Sequence, residues 1–238
     1  MKGSFHIQES AKPKIIRIIL ENIKYGCDLP DDIKASTIRA NNIIKNKIIS
    51  DSEVEFLLEM DEITFNNYLH YKMYSSEEPI GWSYRNVIDI LYNEYIERKV
   101  NYQDIEQKVK ERAYEEGLGS ISFSQKSVIG ALNFIKSLYP SPINENNVFN
   151  LRDYCQPHLL LWGIDYLYKK QWGEEYGSLM LLDENKIEEL CKFCLIEENT
   201  IDNLLKDLDF IYDFVEISIK MFGKYVRLKR TWTFEDVL

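Results

Sequence analysis

Cysteine, histidine, proline and glycine are all scarce in this chain. Its 238 residues include 4 Cys, 3 His, 6 Pro and 10 Gly. Four cysteines in a chain of this length do not make a disulfide framework. The histidines, His6, His70 and His158, stand in unrelated contexts, so a histidine-based triad has little to draw on. No GxGxxG or GxxxxGK[ST] phosphate cradle is present. The apolar run KIIRIIL (residues 14–20) is too short and too charged to span a bilayer. The opening residues MKGSFHIQES lack the apolar core of a secretion signal. These absences point to a cytoplasmic, reduced protein with no membrane partner. Positive charge is also short. Lys and Arg number 29 against 39 Asp and Glu, a formal net charge of −10. That argues against a protein held on nucleic acid by its overall field, because non-specific binding rests on neutralising phosphates, although local basic patches can exist within an acidic whole.

What is present is the composition of a globular protein, 45% hydrophobic and 29% charged, with 16 Tyr and 11 Phe to build a core. The length suits one large domain or two small ones. Helical periodicity dominates. Ile15, Ile16, Ile19, Leu20 and Ile23 share one face, with Pro13 at a first turn and Gly26 as a stop. A second helix is expected over residues 35–48. Further helices follow through Ile88–Leu91–Tyr95, Ile105–Val109–Ala113 and Val128–Leu132–Ile135, the last stopped at Pro140. Residues 140–147, PSPINENN, read as a linker. HLLLWGIDYLY, residues 158–168, is apolar on nearly all sides, the pattern of a helix buried mid-fold.

Residues 50–72 predict two short helices. Ser50 and Glu53 form a capping box, and Asp61 caps again. In its apolar positions, Val54, Leu57, Leu58, Met60, Phe65 and Leu69, the stretch resembles the general helix-turn-helix pattern. It departs from it at Glu55 and Glu59. The resemblance implies a recognition helix presenting Thr64, Asn66, Asn67 and His70 to base edges. The acids Asp51, Glu53, Glu55, Glu59, Asp61 and Glu62, against Lys72 alone, oppose that use.

The C-terminal region changes character. SLMLL (178–182) reads as a short strand, and Asp183 caps a helix through Ile187, Leu190 and Leu195. A second helix runs through Ile201, Leu204, Leu205 and Leu208. Val215, Ile217 and Ile219 then alternate with polar residues, Gly223 marks a turn, and a return strand starts at Tyr225. Helices followed by a β-hairpin is a winged-helix order. Lys220, Lys224, Arg227, Lys229 and Arg230 cluster on the hairpin, a candidate contact for a phosphate backbone or an acidic partner. The hairpin's outer edge is a template for strand addition, and Trp232 and Phe234 are candidate partner anchors. Cys191 and Cys194 make one CxxC mid-helix on an apolar face, where thiols act as small hydrophobes; zinc needs about four ligands. No metal or cofactor is expected. The faint E-x-K at Glu184–Lys186 is explained by a helix cap.

The expectation is a mainly α protein. Residues 1–140 would form a helical domain with a helix-turn-helix-like hairpin at 50–72, and residues 148–238 a winged-helix-like domain with a β-hairpin. Its expected role is that of a non-enzymatic accessory or adaptor subunit in a larger cytoplasmic bacterial complex, working by protein contacts near nucleic acid. The alternative is a sequence-specific DNA-binding regulator, with a metal-dependent nuclease a distant third. Any DNA binding should be weak.

Overall fold

The computed structural model describes residues 3–31, 44, 48–220 and 223–238. Nine α-helices and five short strands make up these residues, so the protein is mainly α. Most of the helix expected over residues 35–48 lies outside the described residues. No helix among the described residues is long and apolar enough to cross a membrane. The chain divides into two compact units, Met1–Asn150 and Leu151–Leu238.

In the first unit, α1 (Pro13–Tyr25) opens on its proline and ends on Gly26 in the left-handed conformation, φ 66°, its N–H donated to the Asn22 carbonyl. The Ser50 N–H donates to Glu53 Oε2 at 2.7 Å, the reciprocal half of a capping box, just before α2 (Val54–Glu59). The Asp61 carboxylate accepts from the Thr64 N–H at 2.8 Å and starts α3 (Glu62–Ser75). Helices α4 (Pro79–Glu94), α5 (Tyr102–Glu115) and α6 (Gln125–Lys136) complete the unit. Two residues each of β1 (Arg98–Lys99) and β2 (Val148–Phe149) pair antiparallel. Residues 140–147 are folded into this unit rather than extended. Asn144 N–H donates to the Val148 carbonyl at 3.0 Å, and Lys136 Nζ to Asn147 Oδ1 at 3.0 Å.

Helix α3 sits at the centre of the first unit. From Thr64 to Tyr74 every residue but Lys72 is buried, because neighbouring helices cover it on more than one side. Thr64, Asn66 and His70, polar residues it brings inside, are bonded there, as buried polar groups usually are. Asn66 Nδ2 donates to the Ser137 carbonyl at 3.1 Å, and His70 Nδ1 lies 2.7 Å from the Tyr84 hydroxyl.

The second unit runs α7 (Pro157–Trp172), β3 (Met180–Leu182), α8 (Glu184–Cys194), α9 (Ile201–Ile211), β4 (Val215–Lys220), β5 (Gly223–Leu228). The strands form one antiparallel sheet in the order β3-β5-β4. Met180 pairs with Val226 and Val226 with Ile217, so the sheet's apolar face is continuous across all three strands. As its composition predicts, α7 is buried nearly all round, from Leu159 through Tyr168, only Tyr166 being less than fully covered. A Cβ on Gly163 would lie 2.8 Å from Phe193 Cδ1, so glycine permits the close approach of α7 and α8. Gly223 is the first residue of β5, paired with Lys220.

Candidate interaction surface

The residues proposed to read bases are enclosed. Thr64, Asn66, Asn67 and His70 are 5%, 7%, 0% and 0% exposed. A recognition helix must present its side chains to a groove, and these four are spent inside the first unit. The polar character read as a solvated or DNA-facing side of α3 is instead a bonded interior.

The basic cluster is in the second unit as expected, but its charge is largely answered within the chain. Lys224 Nζ is 2.6 Å from Asp202 Oδ1, and Arg227 Nη1 is 3.1 Å from Glu216 Oε2. Lys229 Nζ donates to the Asp213 carbonyl at 3.0 Å. Arg230 grips Asp236 with two parallel bonds of 2.8 Å and stacks over the Phe214 ring at 4.1 Å. Lys220 is exposed at the end of β4. A sequence count of positive charge could not see these partners, which meet only when helix, strands and tail fold together.

The hairpin is not the free two-stranded ribbon expected, because β3 flanks it. Its outer strand, β4, is also partly closed to strand addition. The Val215 N–H donates to the Tyr212 carbonyl at 3.0 Å, and the Ile217 N–H to Asp209 Oδ1 at 2.8 Å. Intramolecular capping of edge donors removes the template that strand addition needs.

The C-terminal aromatics fold onto their own unit. Trp232 packs against the buried Trp162 with centroids 5.6 Å apart, and Phe234 meets Trp232 edge-on at 5.5 Å. Trp232 Nε1 also donates to Asp165 Oδ2 at 3.2 Å. Asp165 is fully buried and takes two further donors, the Tyr176 hydroxyl at 2.7 Å and Lys169 Nζ at 2.8 Å. Trp232 and Phe234, both half-buried, therefore pack onto the core of their own unit and leave only part of their surface for the partner contact expected of them. Burial, opposed in part by Thr231 and reinforced by Asp165, raises the Tyr176 phenol above its ordinary value.

The Arg230–Asp236 clasp makes the tail pH-sensitive. The Arg230 bond, helped by the Thr233 N–H and hydroxyl and opposed by burial, lowers the Asp236 pKa from 3.8 to about 2. A depressed carboxylate contributes stability that is complete above its unfolded value and lost as pH falls through its folded value. The stability gap between wild type and Asp236→Asn should therefore be constant above about pH 4 and close towards about pH 2. Its size should be about 1 kcal/mol, since Arg230 is half exposed and solvent screens the pair. Chemical denaturation of both proteins across pH 2–6 measures it; a gap that widens on acidification contradicts the clasp.

The residue that sequence reasoning missed is on α9. Asn203, Lys206, Asp207, Phe210 and Ile211 are spaced by threes and fours and are all exposed, so they form one stripe. Phe210 is 92% exposed and Ile211 51%. A phenylalanine left in water forgoes about 2 kcal/mol of burial. The signal was legible: Phe210 falls out of phase with Ile201, Leu204, Leu205 and Leu208, which face inward. Tyr154, 39% exposed, lies within electrostatic reach of Asp207. Burial first, then Cys155 and Asp207, raise its phenol above the ordinary value. Of the cysteines, Cys155, Cys191 and Cys194 are buried and Cys27 is exposed. Among the described residues no group of three or more His, Cys, Asp or Glu could hold a metal ion. In comparisons with known proteins, no family model, no curated protein and no solved structure matches this chain.

Proposed function

We propose that this chain is a non-enzymatic accessory subunit of a larger cytoplasmic bacterial assembly, and that its second unit is a winged-helix-like module turned to protein docking. The order helix, strand, helix, helix, strand, strand, with the first strand beside the last, supports the winged-helix comparison. In that arrangement the third helix, α9, is the one placed to read a duplex. The observation that carries the docking reading is the character of its outer face. It offers Phe210 and Ile211 with Asp207 beside Asn203 and Lys206, so its one cation and one amide stand among apolar and acidic side chains, where a duplex reader needs several cations and base-edge donors. The hairpin cluster argues the same way, since Lys224, Arg227 and Arg230 are each ion-paired within the chain.

The test is fluorescence anisotropy of the full-length chain with labelled duplex DNA at low and physiological salt. Weak binding that disappears at physiological salt is expected, carried by hairpin cations such as Lys220. Nanomolar binding that survives physiological salt would overturn the docking reading and reinstate a DNA-binding regulator.

A further inference from the structure

The outer face of α9 has a chemistry specific enough to name what it takes. Asp207 stands on the stripe beside Lys206, with Phe210 and Ile211 one turn further along. A carboxylate three residues before an exposed aromatic side chain on one helix face suits a guanidinium or ammonium, which gains both an ion pair and a ring face. Phe210 and Ile211 together suit an apolar side chain from the same partner segment. Between residues 203 and 213 three exposed carboxylates, Asp207, Asp209 and Asp213, stand against the single ammonium of Lys206. Asp209 has one oxygen committed to the Ile217 N–H, whereas Asp213 is 95% exposed, its carboxylate 4.0 Å from Arg230.

We infer that this face docks a basic, apolar-flanked protein segment: Asp207 takes an arginine or lysine, and Phe210 with Ile211 takes the neighbouring apolar side chain. The inference rests on the docking reading of the second unit and adds the partner's chemistry. A phosphate backbone is disfavoured because the face's own carboxylates repel it. A second copy is disfavoured because a two-fold contact would set the same carboxylates against each other.

The probe is a short fluorescein-labelled synthetic peptide of arginine and leucine, titrated with the full-length chain. A glutamate–leucine peptide of the same pattern is the control. The arginine–leucine peptide should bind saturably, and Phe210→Ser and Asp207→Lys should each weaken it by about tenfold or more. Glu111→Lys, which reverses an exposed charge of the first unit, should leave the affinity unchanged. The glutamate–leucine peptide should not bind. Both α9 variants change exposed side chains and should keep the wild-type melting temperature. The inference is overturned if wild type shows no saturable binding, or if Glu111→Lys weakens binding as much as Asp207→Lys. It is also overturned if Phe210→Ser has no effect, or if the chain self-associates through Phe210 instead. Failure here is separable from failure of the docking reading. A chain that ignores the peptide and also fails to hold duplex DNA at physiological salt loses only the partner chemistry; nanomolar duplex binding overturns the docking reading itself.

Discussion

Replacing Asp165 with alanine will lower the stability of the second unit by about 2–3 kcal/mol, the cost of leaving enclosed donors without their acceptor. The carboxylate is fully buried on α7, and three donors converge on it: Tyr176 at 2.7 Å, Lys169 at 2.8 Å and Trp232 at 3.2 Å. Alanine leaves those donors without this acceptor and opens space among Trp162, Tyr176 and Trp232. Asp165→Asn keeps the shape and an acceptor oxygen but loses the charge that holds Lys169, so its loss should be smaller. Denaturant unfolding followed by tryptophan fluorescence measures both. A loss below about 1 kcal/mol for Asp165→Ala would show that the carboxylate carries no more than an ordinary hydrogen bond.

Ending the chain after Arg230 will also lower the melting temperature of the second unit, by roughly 10 °C if the loss is about 2–3 kcal/mol in a unit of this size. The truncation removes the Trp232 ring from Trp162 and one donor from Asp165. It also takes away the carboxylate that holds Arg230 in two bonds. Each contribution is intramolecular, so the shortened chain should retain a partner that docks on α9 wherever it remains folded. Calorimetry of the two proteins decides the first point. An unchanged melting temperature together with loss of the partner would return Trp232 and Phe234 to the role of anchors.

Local chemistry was legible in the sequence wherever it was complete within a few residues. The capping carboxylates of Glu53, Asp61 and Asp183, the αL stop at Gly26 and the alternation through Val215, Ile217 and Ile219 all act over one turn or one strand. The structure shows the caps and the stop in place and a strand over Val215–Lys220, although the alternation fades along it and Ile219 is 40% exposed. The all-round apolar pattern of α7 also announced its burial. Relations between distant residues were not legible. Asp165 and Trp232 are 67 positions apart, and the Lys224–Asp202 and Arg227–Glu216 pairs require a folded sheet beside α9. The polar residues of α3 misled for a related reason. A helical period assigns one face to the core, but α3 is covered on more than one side, and Asn66 and His70 find their partners in Ser137 and Tyr84. At the candidate surface, Phe210 could be read as out of phase with its helix. That it shares an exposed stripe with Asn203, Lys206, Asp207 and Ile211 emerges only from the fold.

The central claim, that the chain works by holding another protein through α9, is tested most directly by purifying the tagged full-length protein from its own cells at physiological salt. Wild type and Phe210→Ser are compared by mass and stoichiometry. Wild type should emerge in a hetero-complex of fixed stoichiometry, and Phe210→Ser should emerge alone with its melting temperature unchanged. A wild-type chain that emerges alone, or a complex indifferent to Phe210, would contradict the claim.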